Sequence, residues 1–173
     1  MPSKQEAVAA GHFLAYIAKA DDTEVTKAIR RNTKEFRKLL KSIPPKKRSY
    51  AYAEGKWTIQ EVLQHIIDAE RVFVYRSLTF ARHDQTGLPG FDENNWAAQV
   101  NKTPRKWKDL VEEFKTMRTA TQLFFESLTD EDLLFTGTSN NAPVNALALG
   151  YVIAGHAKHH ILLIKERYLG KKL

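Results

Sequence analysis

The stretch "TIQEVLQHIIDAERVFVYRSLTFAR", residues 58–82, is where the fold class is decided. Its first four residues match a capping box, with Thr58 as N-cap and Glu61 reaching back to it. Beyond the box, Val62, Ile66, Ala69 and Phe73 recur at intervals of three and four, the spacing of one apolar face on a helix. "HDQTGLPGFDENN" follows, and Gly87, Pro89 and Gly90 within it cannot continue the helix. An amphipathic helix of this length must bury its apolar face against others.

Three further segments supply those partners. A helix is predicted over about 23–42, with Ile29, Phe36, Leu39 and Leu40 at near-helical spacing and "IPP" ending it. "AVAAGHFLAYIAKA" reads as a shorter helical piece before it. Downstream, "TPRKW" starts a third helix, with Thr103 as cap and Pro104 in the favoured first position. It continues through Leu110, Val111, Phe114, Met117 and Leu123 to about residue 128. "TDEDLLFTGTSNNAP" reads as loop with at most one short helical turn, and a last helix runs over about 144–169, closing on Gly170. No sustained period-two alternation predicts strands. The expected fold is all-α, an up-down four-helix bundle with long crossover loops, in a single domain spanning residues 1–173. The connections over 83–103 and 129–143 exceed ordinary loop lengths, which makes them candidates for function.

Composition narrows the function classes. Hydrophobic residues make up 43% of the chain and charged residues 27%, the balance of a soluble globular domain. "ALALGYVIAG", the longest mostly apolar stretch, falls short of the ~20 residues a membrane span needs. The N-terminal region shows no long apolar run followed by a small-residue cleavage site, so a cytoplasmic location without membrane contact is expected. Cysteine is absent, which excludes a disulfide framework, a thiolate metal site and a cysteine nucleophile. Any transition-metal site must then be built from histidine and carboxylate. The net charge of +7 is uneven, since residues 1–49 hold 12 Lys/Arg against 5 Asp/Glu and the remainder 15 against 15. A basic excess confined to one helix and the loop after it is more often a solvated face than a phosphate-binding one, which argues against nucleic acid as a partner.

"GHAKHH", residues 155–160, holds three of the six histidines. With His156 at angle zero on a helical wheel, His160 lies at about +40° and His159 at about −60°. His156 and His160 fall inside the apolar stripe of Leu149, Val152, Ile153, Leu163 and Ile164, while His159 sits at its edge. A pair at i and i+4 aims both rings at one point, as zinc-type sites require. The same spacing also fits two hydrogen-bonded core histidines. His65 adds weight to the metal reading. It lies mid-way along the 58–82 helix in a core-facing sector, where a bundle brings a third nitrogen to the same spot. His12 and His83 read as surface or capping residues.

These pieces resemble a known family. "EGKWTIQEVLQHIIDAERVFVYRSLTFAR", "GLPGFDENNW" and "AGHAKHHILLIKERYL" are similar to the DinB-like (DinB/YfiT) superfamily of metal-dependent enzymes, over about residues 16–169. The resemblance implies a four-helix bundle in which one histidine from the second helix and a pair from the fourth bind a divalent metal. Carried over, the ligands are His65, His156 and His160. It implies chemistry less narrowly, because characterised relatives include transferases that use low-molecular-weight thiols and a maleylpyruvate isomerase.

An all-histidine site with open positions suits Zn or Ni, and also Fe or Mn. Asp68 and Glu61 flank His65 on its helix, at i+3 and i−4, and either is a candidate to orient a ligand ring or act as general base. Glu61 already has its capping role. Arg71 and Arg76 are candidates to receive an anionic substrate, although such residues on helices usually face water. In "LPGFDENNW", Leu88, Phe91 and Trp96 are expected to tuck against the bundle, with Asp92 and Asn95 in reach of substrate if that loop borders the site. A packed structural crossover fits the same residues. Two function classes follow. One is a metal-dependent enzyme of hydrolase or thiol S-transferase type acting on a small-molecule substrate. The other is a metal-binding, stress-linked binding or dimerisation module without turnover, for which a homodimer would be the assembly.

Overall fold

The computed structural model describes residues 1–100 and 105–171. Helices α1 (Phe13–Lys19), α2 (Val25–Ser42), α3 (Ile59–Ala81), α4 (Glu93–Val100), α5 (Trp107–Glu126), α6 (Asp130–Leu134) and α7 (Ala146–Leu163) follow one another along the chain. A two-stranded antiparallel hairpin, β1 (Thr136–Ser139) and β2 (Ala142–Asn145), lies between α6 and α7.

The capping box at the head of α3 is formed: Thr58 Oγ1 accepts from the Glu61 amide, and Glu61 Oε2 accepts from the Thr58 amide. The third long helix begins at Trp107, with Lys106 as N-cap. Thr103 and Pro104, expected as its cap and first residue, lie outside the described residues. Asn145 starts α7 by accepting from the Ala148 amide. At the other end α7 continues as a π-type turn over Ile164–Tyr168, and Gly170 takes the left-handed conformation that ends it, with φ of 64°.

The long helices α2, α3, α5 and α7 form the bundle. Both α2 and α3 pack on α7 and on α5, so these two consecutive helices face each other across a diagonal. The fifth element of the bundle is α1, which lies along α7. That contact corrects the stripe expected on α7, because every residue from Ala146 to Ala157 is buried. The helix Ala146–Tyr168 is long and apolar enough to cross a membrane by length and composition, but 78% of its most apolar stretch is buried inside the protein. It is the core helix of the bundle.

The connections expected as loops carry structure. Residues 83–103 contain α4, and residues 129–143 contain α6 and most of the hairpin. Asn140 and Asn141 turn the hairpin at positive φ, 51° and 59°, as a type I′ turn demands. Strands of four residues are too short to show alternation above the background, which is why the sequence does not predict them. The Leu88 amide donates to Thr138 O and the Asn140 amide to Leu88 O, fastening the hairpin tip to the segment after α3.

Two apolar clusters fill the interior. One includes Ile29, Phe73, Phe80, Phe125 and Leu149, the other Phe36, Leu63, Phe114, Ile161 and Ile164. Between them, at mid-height, each long helix contributes buried polar side chains: Asn32, Glu70, Arg118 and the pair His156 and His160. The candidate site is the exposed edge of this polar layer.

Candidate metal centre

His65 comes from the middle of α3, and His156 and His160 from successive turns of α7. Their Nε2 atoms converge: His156 Nε2 lies 3.0 Å from His65 Nε2 and 3.1 Å from His160 Nε2. Burial pushes the His65 imidazole down to about 4 and holds His156 and His160 well below the ordinary histidine range. All three rings are neutral at neutral pH, so each has a lone pair available to a cation.

The donor set fits a metal. A neutral ring nitrogen carries either one proton or one lone pair. His156 Nε2 therefore makes a well-formed hydrogen bond to one of its two neighbours and not to both. Metal–nitrogen bonds of about 2.0–2.1 Å, by contrast, separate adjacent ligand nitrogens by about 2.9–3.4 Å, the spacing found here. Three protein nitrogens leave coordination positions open. His65, His156 and His160 all border a cavity of about 450 Å³ lined also by α1 and the segment around Phe91.

The rings are held by aromatic packing. The Trp57 ring lies 4.8 Å from that of His65, and Tyr16 and Phe73 stand edge-on to His156 at 5.2 and 5.8 Å. Tyr16 owes its place to Gly155, the residue before His156. A Cβ at Gly155 would overlap the Tyr16 carbonyl oxygen, so α1 reaches α7 only because residue 155 has no side chain. His159 sits outside the nitrogen cluster, half-buried, with its ring 5.8 Å from Tyr16 and 5.0 Å from His160.

Of the remaining residues singled out from the sequence, several lie off the cavity. Asp68 borders a small crevice beside His65, shared with Glu93 and Trp96, where it accepts from Gln64 at 2.8 Å and lies 3.5 Å from Arg71. Arg71 also pairs with Glu113. Asp92 and Asn95 are exposed, and Asp92 Oδ1 accepts from the Asn94 and Asn95 amides, capping α4. The carboxylate on the cavity wall is their neighbour Glu93, whose charge acts on both His65 and Tyr16. His12, expected to be bland, also borders the cavity, while His83 stacks on Phe135 at the surface and lies 3.7 Å from Asp132. Tyr16, Trp57 and Asn140 border the cavity without any signal in the sequence, since each reaches it by tertiary packing.

Comparison with known proteins agrees with this architecture. The DinB superfamily model matches residues 28–164. The chain is similar to two proteins named "Putative metal-dependent hydrolase". One, from Oceanobacillus iheyensis, is 25% identical over 147 residues and 84% of each chain. The other, from Geobacillus thermodenitrificans, is 27% identical over 156 residues and 85% of each. In structure the chain is similar to YfiT from Bacillus subtilis, described as "a probable metal-dependent hydrolase with an unusual four-helix bundle topology". The TM-score is 0.69 at 14% identity, over 95% of this chain and 91% of that one. The fold is shared with that protein, and by the family model, which covers most of its length, the chain belongs to the DinB superfamily.

Proposed function

We propose that the protein is a metal-dependent hydrolase whose His65, His156 and His160 hold one divalent ion, Zn or Ni before Fe or Mn. The observation that carries this reading is the convergence of three neutral Nε2 atoms, 3.0 and 3.1 Å apart, at the wall of an open cavity. When bound, such an ion acidifies water and polarises a substrate oxygen. The chain's own residues do the rest. Phe13, Phe73 and Phe91 shed water from the cavity, which strengthens every charge interaction within it. Glu93, the carboxylate on the cavity wall, accepts the proton of the attacking water and returns it to the leaving group. Asp68, behind His65 in the adjoining crevice, is the second acid–base candidate. Asp92 acts by capping the turn that carries Glu93, and Asn95 takes part in that cap through its backbone amide rather than by facing the cavity. Hydrolysis is preferred to thiol S-transfer because the relatives carry the name "Putative metal-dependent hydrolase", and a low-molecular-weight thiol enters only as an alternative acceptor.

Elemental analysis of protein purified without a histidine tag tests the reading. One equivalent of divalent metal per chain is expected, lost in His65→Ala, His156→Ala and His160→Ala and kept in His159→Ala. Wild type that stays metal-free after supplementation overturns it. Metal that survives His160→Ala but not His159→Ala overturns the ligand assignment. Chelator-sensitive hydrolysis of ester and amide substrates, tenfold or more slower in Glu93→Gln, then separates the enzyme from a metal-binding module without turnover.

A further inference from the structure

One helical stripe of α3 lines one side of the cavity. His65, Ala69, Phe73 and Arg76 all border it, and at ~100° per residue these positions fall within about 80° of one another. The stripe therefore presents, in order, a metal-ligand histidine, a small residue, an aromatic ring and a cation. His65 and Arg76 are separated by three turns, about 16 Å along the helix axis.

Arg76 is 3% exposed. Its one hydrogen bond among the described residues runs from Nη2 to Pro89 O, at 2.6 Å. No described carboxylate pairs with it. Burial lowers its pKa with no opposing charge.

Arg118 shows how this fold treats a buried guanidinium away from that cavity. Its Nε lies 2.6 Å from Glu70 Oε2, and its other nitrogens donate to Asn32 Oδ1 and Ile153 O. Arg118 is paired with a carboxylate and uses both terminal nitrogens as well. Arg76, with its guanidinium carbon 6.0 Å from the centre of the Phe91 ring, has no described carboxylate partner and keeps most of its five N–H donors unused at a cavity wall. A buried charge without a counter-ion is costly unless a partner arrives. The fork of a guanidinium matches the two oxygens of a carboxylate or the oxygens of a phosphate. At the same end, Gly90 follows the carbonyl that holds Arg76, and the Asn140 side chain packs against that glycine. This brings a side-chain amide to the cavity wall beside the cation.

We propose that the cavity selects substrates carrying an oxyanion at the end remote from the histidines, bound by Arg76, with an apolar body lying along Ala69 and Phe73. Arg76 is thus the specificity-determining residue of the site. The substrate class is small acids whose hydrolysable bond reaches the histidines while the acid group stays at Arg76. The inference rests on the metal-dependent hydrolase reading for its function, but its binding step is measurable without metal.

The test is calorimetric titration of chelator-treated protein with 4-phenylbutyrate, its neutral isostere 4-phenylbutanamide, and phenyl phosphate. Removing the metal first prevents the acid from ligating it. Wild type should bind the butyrate about 10- to 100-fold more tightly than the amide, the range of a charge-assisted hydrogen bond. The order of butyrate and phenyl phosphate identifies which oxyanion the site favours. Arg76→Met should lose the preference for acid over amide, and Arg76→Lys should keep part of it, each retaining the wild-type metal equivalent on reloading. Equal binding of acid and amide by wild type overturns the inference, as does no measurable binding of any probe. A preference that survives in Arg76→Met also overturns it, and leaves Arg76 as a clamp on Pro89 only. The wild-type comparison stands alone if Arg76→Met fails to fold. A wild type that takes up no metal sinks the hydrolase reading without touching this result. One that takes up metal but does not discriminate acid from amide sinks only the anion site.

Discussion

Arg118 and Glu70 meet across the bundle with side chains 0% and 2% exposed. Thr121 Oγ1 donates to the second carboxylate oxygen at 2.8 Å. Burial pushes the Glu70 carboxyl up, and the Arg118 charge beside it opposes that push. Removing one partner strands the other in the interior, at a cost of about 3–5 kcal/mol. Arg118→Met is accordingly expected to lower unfolding stability by about that amount in urea titrations, and the double variant Arg118→Met/Glu70→Gln by less than the sum of the two single changes. A loss below about 1 kcal/mol for Arg118→Met would mean that the pair contributes little. Nothing in "KTMRTATQ" marks Arg118 as buried, because arginine on a helix ordinarily faces water and only the partner on a distant helix reverses that. His156 and His160 differ in this respect. Val152 and Ile153 before His156, and Leu163 and Ile164 after His160, already place both rings inward, and the wheel separates them from His159 without help from tertiary structure.

Among the elements, α1 carries the least sequence signal and has a direct bearing on the site. It is seven residues long, and nothing in its composition says that it docks on α7. Gly155 is the missing information, since it lets the Tyr16 backbone press against α7 one residue before His156. Gly155→Ala should raise intrinsic helix propensity yet lower stability, because overpacking against backbone costs about 1–3 kcal/mol. It should also weaken metal retention by moving Tyr16 off His156, within the roughly 10–100-fold range seen when groups supporting metal ligands are lost. Metal-competition titration and thermal melts check both effects, and a variant as stable and as metal-avid as wild type would show that α1 is not braced at this glycine. The bundle helices themselves were legible from the capping box at Thr58, the stop at "IPP" and the three-and-four spacing. Their neighbour order was not. Connections as long as 43–58 and 127–145 reach either an adjacent or a diagonal position, so loop length does not decide that α2 and α3 sit across from each other.

At the scale of the whole molecule, three neutral histidines in the polar layer make folding sensitive to acid. For His65 the folded pKa is depressed from 6.5 to about 4, with burial as the main cause. The unfolded chain therefore binds more protons than the folded one between those values. Its contribution is present above pH 6.5, falls as pH drops toward about 4, and corresponds to about 3 kcal/mol for this ring alone. His156 and His160 add in the same direction. Asp68 and Glu70 work the other way, because burial raises their carboxyls and acid relieves that cost. The carboxyls of Glu35 and Glu113, held below the usual range by paired cations, lose their contribution only at more acid pH. The histidine effect is isolated by comparing chelator-treated wild type with His65→Gln across pH 7.5 to 4.5. Wild-type stability should fall relative to the variant as pH drops through 6.5 toward 5, and the two curves should run parallel above pH 7. Metal-loaded wild type should show a steeper fall over the same window, because protons then compete with the ion for the same three nitrogens. Parallel curves throughout would mean that His65 takes up a proton in the folded protein at its ordinary pKa, and the site would not be the neutral, buried nitrogen cluster on which the metal reading depends.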